Sequence, residues 1–223
     1  MLPALRHIDT WIFDLDNTLY PASADLFSHI DRRMGAFIAD LLACDAEEAH
    51  RIQKGYYRAH GTTLRGLMDA HDIDPREFLA FVHDVPMDAI VHDARLVAAI
   101  AGLPGRKLVF TNGDRDYAER VLMRLGLGES FEAIHDIHAC GYLPKPDPRA
   151  YASLADALAI DPARALFADD IARNLAPAKA IGMTTLWIDN GSDGGRHDAL
   201  PHAIDYTTGE LGDWLDTNTK DDA

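Results

Sequence analysis

Two carboxylates, Asp14 and Asp16, follow a stretch in which Ile8, Trp11, Ile12 and Phe13 are apolar. Acids this close repel each other unless a cation sits between them or one stays protonated, and either arrangement is useful chemistry. Three more polar groups arrive after apolar runs: Thr111-Asn112-Gly113, Lys145 between Pro144 and Pro146, and Asp169-Asp170. Taken singly, each has a plain structural reading. The Asp-Leu-Asp-Asn and Thr-Asn-Gly stretches can be turns, Lys145 a solvated loop lysine, and Asp169-Asp170 a helix cap. Their common placement argues otherwise, because each follows an expected strand, and in an open α/β sheet the carboxyl ends of strands face the ligand crevice.

The elements that must position these groups can be read from periodicity. Strands are expected over Ile8–Phe13, Lys107–Phe110, Ala133–Ile137, Ala165–Ala168 and Thr184–Ile188. Helices alternate with the later strands: Asp114–Leu125 stopped by Gly126, Asp147-Pro148 through Ala159, and Leu175–Ile181 stopped by Gly182. Such alternation specifies an α/β fold with a doubly wound, parallel five-stranded sheet. Between Pro21 and Gly102 there is no strand-like alternation. Ser23 can cap a first helix, Asp45 with Glu48 opens a second, Leu64–His71 forms a third, Asp74-Pro75 starts a fourth and Asp93 a fifth. The expected organisation is a core of residues 1–20 and 104–216, an inserted all-helical cap of 21–103, and a disordered polar tail of 217–223.

The chain has 223 residues, 48% of them hydrophobic, enough for a sizeable core. No apolar run approaches the roughly 18 residues needed to span a bilayer, and a soluble cytoplasmic protein is expected. Cys44 and Cys140 lack CxxC spacing, so neither a disulfide framework nor a zinc site is supported. A formal net charge of −15 disfavours nucleic acid polymers and anionic membranes as partners. An anionic small substrate would require a metal ion, a lysine and backbone N–H groups to invert the local field.

The ordered set Asp14-Leu15-Asp16-Asn17-Thr18, Phe110-Thr111-Asn112-Gly113, Lys145-Pro146 and Asp169-Asp170 with Asn174 closely resembles the four motifs of the haloacid dehalogenase-like superfamily. The resemblance spans Trp11 to Ile188, helical cap included. It implies a Rossmann-like core and phosphoryl transfer through an aspartyl phosphate on Asp14. Asp16 would then protonate the leaving alcohol and later activate water. Dehalogenases of the superfamily need no such acid and typically lack this second aspartate, so Asp16 favours a phosphate ester. The resemblance further implies Mg²⁺ held by Asp14, the Asp16 carbonyl, Asp170 and Asp169, the last directly or through water, since many near relatives carry glutamate there. Thr111, with the backbone of Asn112 and Gly113, would bind phosphoryl oxygens, and Lys145 would neutralise charge.

Leu15-Asp16-Asn17-Thr18-Leu19-Tyr20-Pro21, Gly61 to Leu67, Val82-His83-Asp84 and Asp170 to Leu175 resemble the pyrimidine 5′-nucleotidase branch. This implies UMP or CMP as substrate. Thr62, Thr63, Arg65, His83 and Asp84 are then candidates for base or ribose contacts, and Tyr56 or Tyr57 for stacking on a ring. Helix packing and loop capping are the competing roles for all of these. Phosphoglycolate, a sugar phosphate or mutase chemistry remain open, as does a non-catalytic binding protein. His135 and His138 read as structural or solvated, and the assembly is a monomer or homodimer.

Overall fold

A computed structural model describes residues 1–219 and has a six-stranded parallel sheet at its centre. The strands are β1 (Thr10–Phe13), β2 (Arg106–Phe110), β3 (Ala133–His135), β4 (Ala165–Asp169), β5 (Thr184–Ile188) and β6 (Tyr206–Thr208), in the order β3-β2-β1-β4-β5-β6. β1 is central and pairs with two neighbours, Phe13 opposite Val109 on β2 and Ala168 on β4. All four of its residues are buried, which explains an almost continuous apolar run rather than alternation. Side chains still alternate between faces: Trp11 and Phe13 join one core cluster, and Ile12 joins the other with Leu108, Phe110 and Phe167. The sheet runs outward from β1 through β2 and β3 on one side and from β4 through β5 and β6 on the other. The switch point therefore lies between β1 and β4, where such sheets open their ligand crevice.

Among the described residues, the segment between β1 and β2 carries five α-helices: α1 (Leu26–Leu42), α2 (Ala46–His60), α3 (Thr63–His71), α4 (Pro75–Val82) and α5 (Ala94–Ala101). Their starts follow from side-chain caps. Asp45, Thr62, Asp74 and Asp93 each accept from backbone N–H groups in the following first turn. α1 differs from expectation, since Ser23 lies in a short 3-10 turn and Asp25, with φ 55°, stands at the N-cap without a side-chain bond. The chain returns to the sheet through Gly105, whose φ is +77°, and a Cβ there would lie 2.1 Å from the carbonyl oxygen of Asp9. That close approach lets Arg106 N–H donate to the same Asp9 oxygen at 2.8 Å and sets the β1/β2 register. Trp11, fully buried in β1, ties the return further by donating Nε1–H to the Pro104 carbonyl at 2.9 Å.

The remaining helices, α6 (Arg115–Leu125), α7 (Pro148–Ala157), α8 (Leu175–Ala180) and α9 (Leu211–Asn218), complete the layers. β6 is one strand more than expected: Tyr-Thr-Thr is short, partly exposed and has no apolar run to announce it. β3 stops earlier than expected because the Asp136 carboxylate accepts from Arg115 N–H and Ala139 N–H and turns the chain. The expected tail is corrected at 217 and 218, which belong to α9, while 220–223 lie outside the described residues. No described helix is long and apolar enough to cross a membrane.

Candidate active site

Asp14 follows β1, and its side chain is gripped from two sides. Its Oδ1 accepts from Lys145 Nζ at 2.7 Å and its Oδ2 from Thr18 Oγ1 at 3.2 Å. Thr18 can fold back because Asn17 takes a left-handed φ of 59°, a conformation asparagine tolerates better than most residues. The Thr18 hydroxyl also accepts from the backbone N–H of Asp170 at 3.1 Å, tying the first motif to the end of β4.

Lys145 is 2% exposed, and its ammonium is fully used. It donates to Asp14, to the Phe110 carbonyl at 2.9 Å and to Asp169 Oδ2 at 2.7 Å. The charge also lies 5.1 and 5.3 Å from the Phe110 and Phe167 ring centroids. Its backbone is pinned by Asn112, whose Oδ1 accepts from Lys145 N–H at 2.8 Å while its Nδ2 donates to Lys145 O at 3.3 Å. The Lys145–Pro146 peptide bond is cis.

Asp169 has both oxygens occupied. Oδ1 accepts from Ile171 N–H at 2.8 Å and Asn174 Nδ2 at 3.0 Å, and Oδ2 from Lys145 and, at 3.0 Å, from Asn174 again. Asp170 is the opposite case. It is 3% exposed, yet its Oδ2 has no hydrogen-bond partner. Asp14, Asp169 and Asp170 each place a carboxylate oxygen within 4.8 Å of the others.

Burial pushes the Asp14 carboxyl up to about 7; Asp169 and Asp16 add to the rise and Lys145 opposes it. Asp170 is raised well above the ordinary carboxylate range by burial and by Asp169 and Asp14. Burial opposes the charge on Lys145, but Asp14 and Asp169 outweigh it and hold the ammonium above the usual lysine range. Three crowded acids with one lysine and one orphaned buried oxygen form a site short of positive charge. Hard oxygen donors in that arrangement fit a divalent cation such as Mg²⁺.

Thr111 is buried at the end of β2, and its Oγ1 accepts from Gly113 N–H at 2.9 Å, which closes the turn. A Cβ on Gly113 would lie 3.3 Å from both Thr111 Oγ1 and the Tyr117 ring. The Asp16 Oδ1 accepts from Tyr20 OH at 2.5 Å and Tyr117 OH at 2.6 Å. Both tyrosines are buried.

The cap candidates all have partners within the protein. Thr62 caps α3 by accepting from Arg65 N–H at 3.2 Å, Thr63 is buried with its hydroxyl 3.5 Å from the Gln53 carbonyl, and the Arg65 guanidinium pairs with Asp69. His83 is also engaged within the protein: its Nδ1 lies 2.5 Å from Asp114 Oδ2, and its ring stacks on Tyr117 at 4.3 Å. Asp84 faces Arg33 at 3.5 Å, and the Tyr56 hydroxyl lies 2.7 Å from His71 Nε2. Tyr57 packs under the Arg173 guanidinium, 4.7 Å from its ring centroid, and Arg173 lies three residues after Asp170. The Asn112 side chain likewise serves the Lys145 loop. His135 lies 3.3 Å from Ser153 Oγ and His138 3.0 Å from the Tyr142 hydroxyl.

Tyr117 is the site residue that sequence reading missed. The signal was its position three residues after the N-cap Asp114, in the first turn of a helix that begins at a strand end.

A family model described as haloacid dehalogenase-like hydrolase matches residues 8–182. The chain is 30% identical over 190 residues to phosphate metabolism protein 8 of Saccharomyces cerevisiae, covering 78% of this chain and 59% of that protein, less than two thirds of its length. It is 31% identical over 192 residues to N-acetylmuramic acid 6-phosphate phosphatase of Pseudomonas aeruginosa, covering 81% of each. Among solved structures, a magnesium-bound hydrolase of Bacillus subtilis superposes with a TM-score of 0.62 at 14% identity, over 96% of this chain and 99% of that one.

Proposed function

The chain belongs to the haloacid dehalogenase-like hydrolase family, and from that premise we propose that it is a Mg²⁺-dependent phosphomonoesterase. The observation that carries the reading is the cluster itself: Lys145 Nζ bridges Asp14 and Asp169 at 2.7 Å each while the buried Oδ2 of Asp170 stays unpartnered. Relatives named for phosphate chemistry support it.

In this reading Asp14 attacks phosphorus. The ester P–O bond breaks as the Asp14–phosphoryl bond forms, and Asp16 delivers a proton to the departing alcohol oxygen. Water then attacks phosphorus, Asp16 takes its proton, and inorganic phosphate leaves with Asp14 restored. The Thr111 hydroxyl hydrogen and the turn backbone at Asn112 hold phosphoryl oxygens, with Gly113 N–H closing the turn on Thr111 Oγ1, and Lys145 opposes protonation of Asp14 and orients it. Asp14, Asp170 and the Asp16 carbonyl would hold Mg²⁺, whose charge offsets that of the phosphoryl group. Asp169, saturated by protein donors, anchors Lys145 and Asn174.

The finer reading is a pyrimidine nucleoside 5′-monophosphate as substrate, supported by the resemblance of the first motif through Pro21 and of Asp170 to Leu175. A second reading, a sugar phosphate, is favoured by the Pseudomonas relative, which is named for a sugar phosphate. Phosphate release from a panel containing UMP, CMP, phosphoglycolate and hexosamine 6-phosphates decides between them. A preference for UMP and CMP supports the first reading, and preference for a sugar ester overturns it.

A further inference from the structure

Two buried hydroxyls converge on one oxygen of Asp16. Tyr20 OH and Tyr117 OH donate to Oδ1 at 2.5 and 2.6 Å and lie 3.5 Å from each other. Tyr20 is 3% exposed and Tyr117 is 1% exposed, so neither hydroxyl is free to turn to bulk water. Among the described residues no hydrogen bond reaches Oδ2.

We propose that Tyr20 and Tyr117 are positioning residues that fix the Asp16 carboxyl so that Oδ2 carries and transfers the proton. The inference rests on the phosphomonoesterase reading above. A carboxyl oxygen that accepts two O–H bonds is a poor place for a third hydrogen, so the acidic proton belongs on the other oxygen. Two donors on Oδ1 also stop rotation of the carboxyl about its Cβ–Cγ bond, which leaves Oδ2 facing one direction. Proton transfer is sensitive to such aim, since donor and acceptor must meet at hydrogen-bond distance while the P–O bond is breaking. In that step Oδ2–H gives its proton to the ester oxygen, the P–O electron pair stays with the departing alcohol, and Asp16 is left as a carboxylate that both tyrosines stabilise.

The arrangement reaches into the cap. The face of the Tyr117 ring is covered by His83, which stacks on it with planes 14° apart and is held by Asp114. Asp114 also accepts from Tyr117 N–H at 2.8 Å. The tyrosine that aims the acid is thus clamped between a core helix start and a cap side chain.

The test separates aim from mere structure by varying the leaving group. Tyr117→Phe and Tyr20→Phe each remove a single hydroxyl and keep the ring, and each carries the test alone if the other fails to fold. kcat/KM, which covers steps up to departure of the alcohol, is measured on phenyl phosphates running from 4-nitro, whose phenolate leaves without a proton, to 4-methoxy, which needs one. The expected result is a loss of about 10- to 100-fold on the 4-methoxy ester with less than about 3-fold on the 4-nitro ester. Equal losses across the series, or no loss in either variant, overturn the inference. If wild-type protein releases no phosphate from any of these esters with Mg²⁺ present, the phosphomonoesterase reading itself fails.

Discussion

At the scale of single residues, the energetic tension of the site sits in Asp170. Its carboxyl is buried beside Asp14 and Asp169, and its Oδ2 has no donor. Its folded value is raised above the unfolded value of about 3.9, so in the metal-free protein it contributes instability that grows as pH rises from there. A bound cation reverses the sign by giving the oxygen a partner. Asp170→Asn should therefore melt at higher temperature than wild type at pH 8 without metal, and it should lose the stabilisation that saturating Mg²⁺ confers on wild type. That stabilisation is about 2.7 kcal/mol at 100 times the dissociation constant. Thermal melts with and without Mg²⁺ read both effects, and an equal Mg²⁺ shift in the two proteins would contradict the ligand assignment. The carboxylates were legible as chemistry because their types and order are distinctive. The roles of Tyr117 and His83 were not, because stacking and convergence on one oxygen are set by how two distant segments meet.

At the scale of elements, Asp114 does two jobs at the start of α6. It caps the helix through Tyr117 N–H and holds His83 from the end of α4. Burial alone would raise its carboxyl, but His83 and the helix N–H outweigh this and leave it below the ordinary range. The sign is then that of a stabilising acid: its contribution is present above the unfolded value and is lost as pH falls through the folded one. Asp114→Ala should cost about 2 kcal/mol in urea denaturation at pH 7, roughly 1 for the cap and the rest for the buried bond to His83. Asp114→Asn keeps an acceptor at the cap and should cost less than alanine, and equal costs would show that the cap contributes nothing. Such helix starts were the most readable elements, since Asp45, Asp74, Asp93, Asp114 and Asp147 announce themselves locally. β6 was not readable, because its three residues pair through backbone bonds to β5 and carry no apolar signature.

For the whole molecule, topology turns scattered residues into a site. Strand order reverses between β1 and β4, so Asp14 and Asp169 meet across adjacent strand ends, and the motif after β3 supplies Lys145 to both. The α/β character and the parallel sheet were legible because buried parallel strands read as apolar runs separated by helical periodicity. How the insert seats on the core was not, since contacts such as the Arg173 guanidinium over the Tyr57 ring and its donation to the Gly61 carbonyl at 3.5 Å join segments far apart in the chain. An acidic protein of net charge −15 can handle a phosphate ester only if a cation held by the cluster, together with Lys145, supplies local positive charge, and that requirement joins fold to function. The most direct measurement is phosphate release from 4-nitrophenyl phosphate by wild type and Asp14→Asn, each with Mg²⁺ and with EDTA. Release by wild type with Mg²⁺ alone, and at least about 10³-fold less by Asp14→Asn, is the predicted result. Undiminished release by Asp14→Asn would contradict the account.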